Sequence, residues 1–158
     1  MIQRVQSIYL ILSMISISIL LSGVEIISFT GVKVKASLNA FGISKTDVLS
    51  NQNITDQTFP LYLSIIGLVL YMFILLMRFK DLKIQLKMIR RLSLIYLLLI
   101  ISFLCFSIYG SKVINESDAT TSIGMGFIYF IIPFPFIFLA QIGIKRDKKL
   151  LDSLNRLR

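Results

Sequence analysis

The sequence has no histidine, one cysteine, and eight acidic residues against 17 basic ones. Without histidine there can be no Ser-His-Asp triad, no H-E-x-x-H zinc site and no imidazole general base. With Cys105 alone there is no intramolecular disulfide and no paired thiolates for a zinc ion. Its setting, Phe103-Leu104-Cys105-Phe106, marks it as a small hydrophobe. A serine-lysine pair could be read into Ser44-Lys45, but adjacent side chains point apart. No catalytic role, cofactor or metal is therefore expected. Charge is also missing from four long stretches: Val5–Gly23, Phe59–Met77, Leu92–Tyr109 and Ile123–Ile144 contain no Asp, Glu, Lys or Arg.

What is present is apolar. Hydrophobic residues make up 56% of the 158, and mean hydropathy is +0.82, more than one soluble core of this size can hide. Each uncharged stretch is roughly 27–33 Å long as a helix, enough for a hydrocarbon core of about 30 Å. The expected fold is thus all-α: a single membrane domain over residues 1–158, with four transmembrane helices in a bundle. Continuous apolar runs exclude the alternating short segments of a β-barrel.

Basic residues occupy alternate gaps. Thirteen of them fall at the N-terminal flank, the connection 78–91 and the tail 145–158, and four fall in the loops 24–58 and 110–122. Cytoplasmic connections retain Lys and Arg, so both termini are expected inside. The N-terminus imitates a signal peptide, yet Leu21 stands where cleavage wants a small residue, which points to a retained first helix.

The outer loop 24–58 has room for structure. Val32 and Val34 alternate with Lys33 and Lys35 between Gly31 and Gly42, which predicts a short strand, paired with Glu25–Thr30 as a β-hairpin around Gly31. Ser44–Gln57 is polar and expected to be irregular. So few residues bury no core of their own, so any strands must lean on the helices or a partner. The sequons at Asn53 and Asn115 face outward and matter only in a glycosylating compartment.

On the inner side, Lys80, Lys83, Lys87, Arg90 and Arg91 oppose Leu82, Leu86 and Ile89. This amphipathic pattern would lie at the headgroups or extend the second helix. The tail sets Lys148, Lys149 and Arg156 against Leu150, Leu151, Leu154 and Leu157, a basic amphipathic C-terminal helix. With Arg4, these residues are the candidate contacts. Three readings stand: a topology signal, binding of anionic lipid headgroups, or docking to an acidic partner such as RNA near a ribosome or translocon. DNA is not expected, and apart from Phe79 no aromatic interleaves the basic residues for base stacking.

Pro133 and Pro135 break the fourth helix and free the carbonyls of Tyr129 and Ile131. Either the kink shapes a pocket or groove, helped by Gly124 and Gly126, or it is a packing kink filled by the aromatics around it. Ser13, Ser16, Ser18 and Ser22 suit close packing of the first helix. Gln141 and Glu25 read as interfacial, which leaves an ion-coupled carrier without a mid-membrane charge.

The opening Met1-Ile2-Gln3-Arg4-Val5-Gln6-Ser7, the ending from Ile144 to Arg158, the Phe41-Gly42-Ile43 step and the Pro133-bearing helix together resemble an uncharacterised four-helix membrane protein family of Bacteroidota, domain of unknown function 4293. The resemblance spans essentially the whole chain. It implies a bacterial inner membrane, where both sequons are idle, and supplies no activity. It also draws attention to the two ends: either Gln3 or Arg4 caps or pairs with Asp147 or Asp152 where the first and fourth helices emerge, or the ends anchor separately. The functional expectation is a non-enzymatic multi-pass subunit working beside other membrane proteins in a larger assembly such as export or envelope machinery. The alternative is a small-molecule carrier or binding protein built on the kinked fourth helix.

Overall fold

The computed structural model describes residues 3–32, 34–48, 53–79, 81–109 and 120–156; side chains at 3–4, 53–56, 109, 151 and 154–156 lie outside that description. In chain order the elements are α1 (Gln3–Ser18), β1 (Ile27–Thr30), β2 (Val34–Asn39), β3 (Gly42–Asp47), β4 (Asn53–Thr58), α2 (Leu61–Met77), α3 (Leu82–Tyr109), β5 (Thr120–Ile123), α4 (Met125–Ile131) and α5 (Pro133–Arg156). The fold is mostly helical, as expected, and the small β-hairpin allowed for in the loop 24–58 is part of a larger antiparallel sheet.

Among the described residues, three helical stretches are long and apolar enough to cross a membrane: Val5–Ser22, Leu82–Ile108 and Met125–Leu150. The expected second span is shorter than foreseen. Pro60 stands at its N-cap, which leaves a helix of 17 residues, about 25 Å at the usual rise. The first span is α1 followed by a 3-10 turn, Ile19–Ser22, which stops at Gly23 in the left-handed region. The third begins ten residues early: the basic connection continues into α3 and extends the third helix, not the second.

The sheet has strand order β4-β3-β2-β1-β5. The hairpin foreseen around Gly31 is there, closed by the Gly31 amide donating to the Val34 carbonyl at 2.9 Å. Val32 belongs to its turn, 74% exposed. Two corrections follow. Part of the stretch expected to be irregular forms β3 and β4, where Thr46 and Thr58 supply β-branched side chains that suit a pleated surface. The loop before the fourth span adds β5, whose Ile123 pairs with Ile27 and so delays the helix start to Met125.

Register sorts the two faces. Ile123, Ile27, Leu38 and Ile43 lie in one row, with Phe29 and Ala36 beside them, and this apolar face leans on the helices, the Phe29 ring meeting Phe106 edge-on at 5.9 Å. The other face carries a serine row across four strands. Ser28 and Ser122 hydroxyls are 2.8 Å apart, as are those of Ser37 and Ser44. At the outer junction, Cβ atoms on Gly124 and Gly126 would lie 2.2 and 2.8 Å from the Glu25 carbonyl oxygen. These glycines permit a backbone approach sealed by hydrogen bonds from Gly124 to Ile26 and from Gly126 to Glu25.

Candidate functional site: the buried polar layer and the basic helix ends

Each helix buries a stripe whose members step by three and four residues. On α1 it is Gln6, Leu10, Ser13 and Ile17; on α3, Leu82, Gln85, Ile89, Leu92 and Tyr96; across α5, Pro133, Ile137, Ala140, Ile144 and Asp147. That spacing is the one that lets antiparallel helices interlock over several turns. α1 packs on α5 and α2, and α3 packs on α5. Outside the stripes the same helices expose Ile8, Ile15, Leu98, Ile101, Phe138 and Ile142, an apolar outer surface suited to lipid.

At the end away from the sheet the stripes turn polar. Gln6 and Asp147 are 4% and 7% exposed, and the Gln6 Nε2 donates to Asp147 Oδ2. Gly143 makes this fit possible, since a Cβ there would stand 2.8 Å from the Gln6 Cγ. Gln85, 4% exposed, donates from Nε2 to the Leu75 carbonyl at 3.4 Å near the end of α2. Asp147 Oδ1 and Gln85 Oε1 are buried with no hydrogen-bond partner among the described residues. Both orphans are acceptors, so this layer can take up a donor: a protonated or cationic group.

The contact observed between the two ends is made by Gln6, a residue not foreseen for it, while the side chains of Gln3 and Arg4 lie outside the described residues. Asp152 is exposed. Gln6 and Gln85 carry a signal that sequence reading missed. Each is an uncharged polar residue at the next step of an apolar stripe, where a solvent-facing residue is not due.

Around the layer, Lys83, Lys87, Arg90 and Arg91 on α3 and Lys149 on α5 are exposed, while Lys148 is half-buried. Lys145 and Arg146 are exposed too, so four basic residues flank Asp147 without covering it. Arg156 ends α5 with its side chain outside the description, and Lys80 lies outside the described residues. The expected opposition of Leu82 and Ile89 to the basic row holds, with both buried. In the tail, Leu150 is 45% exposed.

The proline break interrupts the apolar stretch Met125–Leu150 at Ile132, between α4 and α5. Pro133 is buried, Pro135 exposed. Two hydroxyls serve the carbonyls here: Tyr96 donates to Phe130 at 2.8 Å and Ser13 to Pro133 at 3.4 Å. Neither is a carbonyl freed by a missing proline amide, so the hydroxyls brace the residues either side of the break. Rings fill the adjoining space, with Phe130 5.5 Å from Tyr96 and 4.8 Å from Phe103 by centroids. Gly124 and Gly126 serve the sheet junction, not the kink.

A family model described as Domain of unknown function (DUF4293) matches residues 2–157. The chain belongs to this family. No curated protein matches the chain. DUF4293 brings no activity with it, but it encloses every feature described above. The Phe41-Gly42-Ile43 step gains a structural role: Asn39 Oδ1 accepts from the Phe41 and Gly42 amides at 3.0 and 2.9 Å, the Phe41 ring meets Tyr62, and Ile43 turns under the sheet.

Proposed function

We propose that this DUF4293 chain is a non-catalytic, multi-pass protein of the cytoplasmic membrane. It crosses four times with both termini inside and serves as an accessory or structural subunit of a larger membrane assembly, such as export or envelope machinery. The observation that carries the reading is the pair of helix extensions, α3 and α5. At the end where the polar layer lies they carry an exposed basic array: Lys83, Lys87, Arg90 and Arg91 on α3, Lys145, Arg146 and Lys149 on α5. Such an array suits the anionic inner leaflet and the acidic surface of a membrane partner. The 17-residue α2 counts as the fourth crossing, because a helix about 5 Å short is accommodated by local bilayer thinning at modest cost. Against the carrier reading, the aromatic rings of Tyr96, Phe103 and Phe130 pack together beside the proline break.

Gentle detergent extraction followed by pull-down and mass spectrometry tests the subunit reading. Partners retained at fixed stoichiometry, and lost on Lys83→Glu, Lys87→Glu and Arg91→Glu together, support it; recovery of the chain alone and monomeric sinks it. Orientation has a separate test. In a Cys105→Ser background, a cysteine at Lys35 should react with an impermeant maleimide in intact cells and one at Lys83 only after permeabilisation; the reverse pattern refutes it.

A further inference from the structure

The apolar face of the sheet does not close fully on the helices. Between β2 and β3 on one side and the ends of α2 and α3 on the other lies a cavity of about 310 Å³, lined by Leu38, Ile43, Phe59, Leu61, Phe103 and Phe106, with Ser102 its one polar side chain. That volume is at the small end of the range for ligand pockets, about 300–1,000 Å³, and suits one hydrocarbon chain better than a whole amphiphile. The mouth is continuous with the outer apolar surface: Phe59 is 64% exposed, and Leu63, Leu104 and Ile108 on the same turns of α2 and α3 are exposed as well. A chain entering here leaves lipid and meets only lipid-like walls.

Lys45 follows Ile43 on the same face of β3, about 7 Å along the strand. It is half-buried and has no ion pair among the described residues. An apolar slot and, one step along the same sheet face, a cation with no ion pair among the described residues are the complement of a molecule with a hydrocarbon chain and an anionic head.

We propose that this is a binding site for an anionic phospholipid, with one acyl chain under β2 and β3 and its phosphate beside Lys45. The inference rests on the membrane reading above and is independent of the subunit reading. A chain that purifies alone yet binds here would overturn that reading and keep this one.

The test places the purified chain in nanodiscs of phosphatidylcholine containing a small fraction of phosphatidylglycerol with a diazirine near the end of one acyl chain. After irradiation, adducts are mapped by mass spectrometry. Adducts should concentrate on Leu38, Ile43, Phe103 and Phe106. Filling the slot with Ser102→Phe from the helix side, or Ile43→Trp from the sheet side, should cut them about tenfold, about 1.4 kcal/mol of site affinity; the two variants approach from different elements, so misfolding of one leaves the other. Lys45→Gln should lower phosphatidylglycerol labelling about fivefold, as expected for one surface cation against an anionic head, and leave labelling by a diazirine phosphatidylcholine unchanged. Adducts spread along Leu98, Ile101 and Leu139, or slot-filling variants of wild-type circular dichroism that label undiminished, would overturn the site. Equal labelling of the unsubstituted chain by the two lipids would overturn its preference for an anionic head.

Discussion

Replacing Gly143 by alanine should destabilise the bundle only while Gln6 is present. The added Cβ would lie 2.8 Å from Gln6 Cγ and 3.4 Å from its Cδ and Nε2. Cγ is too near the backbone to move aside without carrying the amide off Asp147. The loss is then a buried hydrogen bond to a carboxylate, about 1.5–3 kcal/mol. Against it stands the gain from removing a glycine inside a helix, about 1 kcal/mol. Gly143→Ala alone should therefore cost about 0.5–2 kcal/mol net. With Gln6→Ala already made, the clash is gone and Asp147 has lost its donor in either case. Alanine at 143 should then be neutral or stabilising by up to about 1 kcal/mol. The sign reversal is the diagnostic, and the coupling energy of the double-mutant cycle should be about 1.5–3 kcal/mol. Reversible unfolding in mixed micelles on addition of dodecyl sulfate, followed by circular dichroism, measures all four variants. Equal destabilisation by Gly143→Ala in both backgrounds would show that the glycine answers to something other than Gln6.

Tyr96→Phe keeps the ring stacked on Phe130 and removes only the hydroxyl bond to its carbonyl, so it should cost about 1 kcal/mol, in the range for hydrogen bonds between membrane helices. A loss above about 3 kcal/mol in the same assay would mean the ring packing had failed as well. Gly124→Ala forces a Cβ onto the Glu25 backbone carbonyl, which cannot swing aside, and should cost about 3 kcal/mol. Hydrogen exchange at residues 27–30 should rise as β5 comes off β1, and unchanged protection would refute the close approach. Lys35→Met removes an ion pair to Glu25 that is 3.4 Å long with both side chains over 40% exposed. It should shift stability by less than about 0.5 kcal/mol, and by less still at high salt, which screens an exposed pair.

The helical part of the fold was legible because a 3.6-residue period and an absence of charge are local properties of the chain. The first hairpin was legible too, from valines and lysines alternating on either side of Gly31. β3, β4 and β5 were not. Ser44, Thr46, Thr121 and Ser122 look like loop residues when read singly, and become strand residues only once a neighbour satisfies their backbones. Ile123 shows the same limit in reverse, since it reads as the first residue of a helix and is claimed by its pairing with Ile27. For the candidate site, the exposed basic rows of α3 and α5 could be read directly, whereas Gln6 and Gln85 needed the partner helix to show that they point inward. Asp147 was noticed through the family resemblance, yet its partner lies 141 residues away in sequence, beyond the reach of any local pattern.

The strand order also dictates a sequence of events. Four strands come from one loop, but the fifth pairs with β1 across 94 residues, after α2 and α3 have been made. While synthesis proceeds, β1 is an open edge carrying unpaired amides and carbonyls, the usual invitation to wrong partners. It is sealed only when residues 120–123 arrive beside it. β5 thus acts as a completion latch that joins the later helices to the earlier ones through the sheet. A chain truncated before Thr120 should accumulate as an assembly intermediate with β1 exposed.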